Sequence, residues 1–159
     1  MTTNFAKGSH VGIDLEATPT DAEHTLGFVV DGNDNTRWVY VQASGAINQY
    51  DFVTLDENFQ ATALADAGGA AGHVLGVAQV AFADNDYGFV AIEGTNIKGN
   101  FKASCAADNE SLYTNTTSGH LDDASTADAI LVVGVVAVVA PGAADTNKEI
   151  IMRSPRFQS

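Results

Sequence analysis

The feature that most constrains the fold is a pattern that occurs twice. Residues 72–94, GHVLGVAQVAFADNDYGFVAIEG, read as a β-hairpin: an apolar run over 74–82, a turn at Asp84, Asn85 and Asp86, and a return strand over 87–93. Val, Phe and Tyr dominate both arms, and Asn and Asp tolerate the conformations that join them. Residues 130–155, ILVVGVVAVVAPGAADTNKEIIMRSP, repeat the arrangement, with Gly134 in the place of Gly76, a turn over 141–147 and a return near 149–153. The likeness extends upstream. At an offset of about sixty residues, Ala43-Ser44-Gly45-Ala46 aligns with Ala103-Ser104-Cys105-Ala106, and Phe52-Val53-Thr54 with Leu112-Tyr113-Thr114. Each half, approximately 43–94 and 103–153, is a loop, a short strand pair, a polar loop and a long hairpin. Two copies are too few for a solenoid. Closure of both halves into one compact antiparallel barrel removes the exposed strand edges and is the expected solution.

The rest of the chain agrees. Leu26, Phe28 and Val30 alternate, a turn follows over 31–35, and RWVYVQ (37–42) returns as a first hairpin. Residues 43–51 form a polar connection, 52–55 and 59–64 a short strand pair, and 65–72 an Ala/Gly loop. Residues 95–110 read as a polar loop anchored by Ile97 and Phe101. A second short pair follows at 112–113 and 120–121, then an acidic loop over 122–128. No helical period of useful length occurs, so the class is all-β. Residues 1–24 carry few large apolar side chains and read as an extended arm, with 25–159 as the barrel domain. Removal of such an arm is expected to leave the barrel's melting temperature nearly unchanged.

Charge and composition exclude several functions. Seven Lys and Arg stand against 20 Asp and Glu, a net charge of −13, and no basic run exists to bind phosphates. The first residues, MTTNFAKGSHVGIDLE, lack a signal peptide's charged and apolar regions, and no apolar run approaches a membrane helix of about 20 residues. Nucleic acid and membrane are therefore not expected partners.

No group of residues announces catalysis. His10, His24, His73 and His120 never fall at a metal-ligand spacing, and the Asp84–Asp86 and 31–35 turns lack the remainder of a calcium loop. Cys105, the single cysteine, excludes an intrachain disulfide and has no adjacent His or basic cluster to activate it, so it reads as a small packing residue. Gly68, Gly69 and Gly72 have no Lys and no following helix to make a phosphate loop. No catalytic, metal or cofactor residues are assigned. The candidate contact residues are Phe5, Val11, Ile13 and Leu15, spaced along the arm, and Trp38 and Tyr40 on one face of their strand. The arm reads either as a frayed end or as a strand for a partner's edge. Trp38 and Tyr40 read either as core or as anchors between subunits.

Four phrases carry a family resemblance: WVYVQASGAINQYDFVTL (38–55), GHVLGVAQV (72–80), DYGFVAIEG (86–94) and SLYTNTTSGHL (111–121). They resemble the bacteriophage capsid cement, or head decoration, proteins, in which a Gly-Ala-Ile, spacer, Asp-Val-Val pattern leads into a short hairpin. A Gly-Val-Ala strand and a Gly-x-Val-x-Val return follow there. The likeness covers residues 25–153. It implies a β-tulip-like barrel and a virion protein made in the host cytoplasm. Such a protein sits as homotrimers on the outer capsid surface, bridging capsomers and binding the major capsid protein. A head-fibre base or glycan-binding β-module is the other reading. The aromatics are spread among strands rather than grouped in loops, which favours decoration.

Overall fold

A computed structural model describes residues 13–32, 35–66, 73–103, 105, 110–142, 144 and 146–158. Ten strands account for the regular structure, and no helix occurs among the described residues. They are β1 (Val29–Asp31), β2 (Arg37–Ala43), β3 (Phe52–Leu55), β4 (Gln60–Ala63), β5 (Val74–Val77), β6 (Tyr87–Phe101), β7 (Leu112–Thr114), β8 (His120–Asp122), β9 (Leu131–Ala137) and β10 (Thr146–Gln158).

The protein is an all-β barrel built from two related halves, and its pairings show how each half closes. β2 runs parallel to β4, which is antiparallel to β3. β3 pairs with β5, β5 with β6, and β6 returns to β2, a ring of five strands. The second half repeats every step: β6 parallel to β8, then β7, β9, β10, and back to β6. The duplicated sequence is therefore a duplicated topology in which β6 is the last strand of one ring and the first of the next. Ring closure within each half leaves few unpaired edges, the physical reason a chain this rich in short strands adopts it.

The shared strand is longer than its sequence suggests. Residues 95–101, expected to be loop, extend β6 to 15 residues. Ile97 and Phe101 point into the core from it, while its polar residues Asn96, Lys98 and Asn100 alternate on the other face, so the segment has a strand's period after all. Near Gly94 the register shifts against both neighbours, from Arg37↔Glu93 to Trp38↔Ala91 and from Ile150↔Ile97 to Met152↔Gly94. Gly94 has φ +132°, and a Cβ there would lie 2.6 Å from the Asn35 carbonyl, so only glycine fits. This bulge hands β6 from one ring to the other.

The hairpin expected over 74–93 is also modified. β5 ends at Val77 and meets β6 at one partner pair, Val77↔Ala91, whereas β2 matches β6 at six positions. Residues 78–86 swing away instead, with Phe82 bridging to Ile47 through two backbone bonds of 2.9 and 3.0 Å. The Asp84-Asn85-Asp86 turn forms as expected. Asp84 accepts from the Gly45 amide (2.8 Å), Asp86 accepts from the Ala83 amide (3.0 Å), and Asn85 takes φ +69°.

Two apolar clusters follow from this closure. Val39, Val41 and Ala43 of β2, Val53 and Leu55 of β3, Ala61 of β4 and Val90 of β6 fill the first ring, closed by Ile47, Ala78 and Phe82. The larger cluster joins the core of the second ring (Ile97, Phe101, Leu112, Leu121, Val132, Val135, Ile150, Met152) to the outer face of the first (Trp38, Tyr40, Phe52, Leu75, Phe89). Both faces of β2 are thus covered. The segment read as a free arm lies against that outer face over residues 13–24. Leu15 is buried in the cluster and Ile13 packs on it. The Tyr87 amide donates to the Pro19 carbonyl (2.8 Å), and the Glu23 amide donates to the Tyr40 hydroxyl (3.0 Å).

Candidate functional surfaces

The residues singled out from sequence separate clearly. Phe5 and Val11 lie outside the described residues. Leu15, Trp38 and Tyr40 are between 1 and 4% exposed and Ile13 is half-buried, so none of the first three presents a contact surface. Tyr40 is the centre of an aromatic group: Phe89 lies edge-on at 5.0 Å, His24 edge-on at 5.1 Å and Tyr87 stacked at 6.3 Å. The Trp38 indole donates to Thr36 Oγ1 at 2.8 Å. These side chains are spent on the chain's own packing, which corrects their assignment as outward anchors.

Two of the histidines have structural partners too, whereas the buried Nδ1 of His73 has no hydrogen-bond partner among the described residues. His24 packs against Phe28, Tyr40 and Phe89, and His120 Nδ1 lies 2.9 Å from the Ser118 carbonyl.

A feature the sequence reading passed over as a polar connection is the turn at residues 48–51. Asp51 is buried, and its carboxylate accepts from the Asn48 amide (3.0 Å), from Asn48 Nδ2 (3.0 Å) and from Asn100 Nδ2 (2.9 Å). Asn100 belongs to β6, so Asp51 ties the entrance of β3 to the shared strand. Tyr50 is held at φ +68° by its amide on the Ala78 carbonyl (2.7 Å) and its carbonyl on the Asn100 amide (2.9 Å). The Asn and Asp of this Asn-x-x-Asp spacing are turn-forming residues visible in the sequence. The partner of Asp51 on β6 was not, because residues 95–101 did not read as strand.

Beside this turn lies an open polar groove of about 310 Å³, lined by Glu16, Gln49, Tyr50, Gln79, Lys98 and Glu149 among others. Its amides are already engaged: Gln79 donates to the Lys98 carbonyl (2.8 Å) and accepts from the Lys98 amide (3.1 Å), while Gln49 donates to the Gln79 carbonyl (3.0 Å). The Lys98 ammonium sits 5.5 Å from the centroid of the Tyr50 ring and covers it.

Exposed apolar side chains mark a different surface. Phe28 (40%), Val29 (46%) and Phe59 (36%) are exposed, and the Phe59 ring lies over Gly27. Val29 is on β1, which among the described residues pairs only with β2. At the end of β1, Arg37 Nε bonds Asp31 (2.7 Å) with Glu93 at 3.8 Å. The Asp31 hydrogen bond pushes the Arg37 pKa further up.

Among the described residues one group of three potential ligands converges, Cys105 with Asp122 and Asp123. Burial, together with the charges of Asp123 and Asp122, pushes the Cys105 thiol up to about 11, so it is protonated and not a nucleophile at neutral pH.

The fold and these surfaces define a small all-β barrel protein. Searches among known protein families and among curated proteins return no match to this chain.

Proposed function

We propose that this chain is a structural virion protein that decorates and stabilises the outer surface of a tailed-phage capsid, as homotrimers that bridge capsomers and bind the major capsid protein. The observation that carries this reading is how the side chains are used. The buried polar groups described above serve the chain's own turns, and what faces outward includes the apolar side chains of Phe28, Val29 and Phe59, near β1. A body of this kind is suited to attachment rather than to turnover, in keeping with the resemblance to cement proteins. Trimers multiply weak contacts with the shell, raising avidity by about 10² to 10⁴-fold where geometry allows. The strongly acidic composition keeps an apolar, strand-rich subunit from random association before it docks.

The glycan-binding alternative needs an open aromatic platform. Tyr50, beside the polar groove, has its ring covered by Lys98, and the exposed Phe28 and Phe59 lie outside that groove. Decoration is therefore the better reading.

The test is reconstitution. Purified protein is mixed with phage capsids that lack it, and the particles are separated and imaged. A regular, saturable layer with three copies per site supports the proposal, together with sedimentation equilibrium showing a trimer. A monomer in solution that leaves the shells bare, at concentrations well above those in an infected cell, would refute it. Phe28→Ser with Phe59→Ser should abolish trimerisation or attachment without unfolding the rings.

A further inference from the structure

We propose that the outer face of the second ring is where copies of this chain bind one another. The face is made by Tyr113 of β7, Leu131, Val133 and Val136 of β9, and Ile151 of β10. This role rests on the homotrimer of the proposed function, with each copy turning the face toward the trimer axis.

The sequence of β9, LVVGVVA, is apolar on both sides, whereas a strand with one wet face alternates. Its inward side is accounted for: Val132, Val135 and Ala137 are buried with Leu112, Ile150 and Met152 in the larger cluster. A bulge at Gly134 (φ +84°), where the register with β10 also shifts, leaves Val133 and Val136 both on the outside. The ladder assembles the rest, since Leu131 pairs with Tyr113 and Val136 with Ile151. All five are partly exposed and pack against neither apolar cluster. Val138 extends the row: its amide continues the ladder onto the Glu149 carbonyl (3.0 Å), and it is 44% exposed.

The first ring shows what covers such a face. β9 holds the place in its ring that β5 holds in the first, between the short strand pair and the last strand. Leu75 and Val77 on the outer side of β5 are fully buried, because β10 of the second ring lies across β5 and Gly99 sits against the Phe52 ring with Ile150 beside it. Among the described residues β9 has no substantial strand neighbour beyond β7 and β10 of its own sheet. The duplication has thus repeated an apolar face without repeating its cover. In the first half the cover is a ring of this same design, so a ring from another copy is the occupant that fits. Contiguous apolar patches are seldom left bare on a monomer and mark binding surfaces.

Charge points to the same occupant. Residues 1–94 hold 13 of the 20 acidic side chains and two of the seven basic ones, while residues 95–159 hold seven and five. A chain of net charge −13 repels its own kind, and the second half is where two copies meet with least repulsion. The border of the face carries both signs. Arg156 stands opposite Val133 in the ladder and Glu149 lies two residues before Ile151, both exposed. The patch is therefore complementary in sign to a second copy of itself, acid against arginine.

Sedimentation equilibrium of the full chain tests it. The natural protein should be a trimer at micromolar concentration. Val136→Glu with Ile151→Lys exchanges an apolar cross-strand pair for one of opposite charge, which a sheet accommodates and which leaves the net charge unchanged. It should weaken association at least a hundredfold and give a monomer. Circular dichroism checks that it is folded. If it is not, Val138→Lys, at an exposed site beside Glu149, gives the reading instead, with a loss of at least tenfold. Phe28→Ser with Phe59→Ser lies on the other ring and should stay trimeric. A monomeric natural protein, second-ring variants as trimeric as the natural chain, or a folded but monomeric Phe28/Phe59 variant would each overturn the proposal. If the still-trimeric second-ring variants no longer coat shells, the capsid is the occupant. A natural trimer that these variants break, on shells that the natural protein itself leaves bare, would support this face while refuting decoration.

Discussion

Replacing Asp51 with alanine tests whether the joint between the two rings is held by one carboxylate. Three donors converge on it: the Asn48 amide, Asn48 Nδ2 and Asn100 Nδ2, at 2.9 to 3.0 Å. Hydrogen bonds to a charged acceptor contribute about 1.5–3 kcal/mol each, and a donor left unpaired in the interior costs about 1–3 kcal/mol. The loss falls short of three full bonds. Asn48 is partly exposed and regains water, Asn100 Nδ2 keeps its bond to the Gln49 carbonyl (3.0 Å), and the variant no longer desolvates a carboxylate. A net cost of about 3 kcal/mol follows from one bond lost in full and two in part. Against a total of about 5–15 kcal/mol for a domain, that is a large fraction. Equilibrium urea unfolding measures it, with an unchanged m-value required so that the difference is one of stability. Asp51→Asn retains an acceptor oxygen but turns its NH₂ toward a donor, so it should fall between the two. A double-mutant cycle with Asn100→Ala should give a coupling of about 1 kcal/mol across the joint. An Asp51→Ala variant less than about 1 kcal/mol below the natural protein would refute the reasoning, since it would mean that the donors find water at no cost.

Three other outcomes are expected. Leu15→Ala should destabilise the chain by about 2–3 kcal/mol by thermal or urea unfolding, and deletion of residues 1–20 by at least as much; an unchanged melting point would return this segment to the status of a free arm. Gly99→Ala drives a methyl group into the Phe52 ring and toward Ile150 Cδ1 at 3.3 Å, so it should cost about 1–3 kcal/mol, measured the same way. The Cys105 thiol titrates near 11 when folded against an ordinary value of 9.0, so its protonated form favours the native state. That contribution is fully present below pH 9 and is lost as pH rises toward 11, so the protein's stability should decline over this window. Cys105→Ala should flatten the decline, and identical pH profiles would count against a buried thiol.

Most of the strands were legible because a half-buried strand writes its two faces into every second residue. The hairpin of residues 26–30 with 37–42, the short pairs at 52–55 with 59–64 and 112–113 with 120–121, and the repeat at an offset of about sixty all followed from alternation and turn chemistry. Alternation says that a face is apolar, but not what covers it. Trp38 and Tyr40 therefore read equally well as core or as outward anchors until the fold laid residues 13–24 and the second ring over them. The same limit hid the length of β6. Glycines at 94 and 99 and polar residues at 96, 98 and 100 look like a loop, and only a neighbour on each side, β10 and β8, makes them a strand. Ring closure depends on the parallel pairs β2–β4 and β6–β8, whose partners are about 20 residues apart and joined by no turn motif. Asp51 meets Asn100 where the entrance of β3 reaches β6, and Cys105 meets Asp122 where β6 and β8 leave the sheet. Local pattern determined the elements; contacts between residues distant in sequence, which only closure of the rings brings about, decided where the polar chemistry lies.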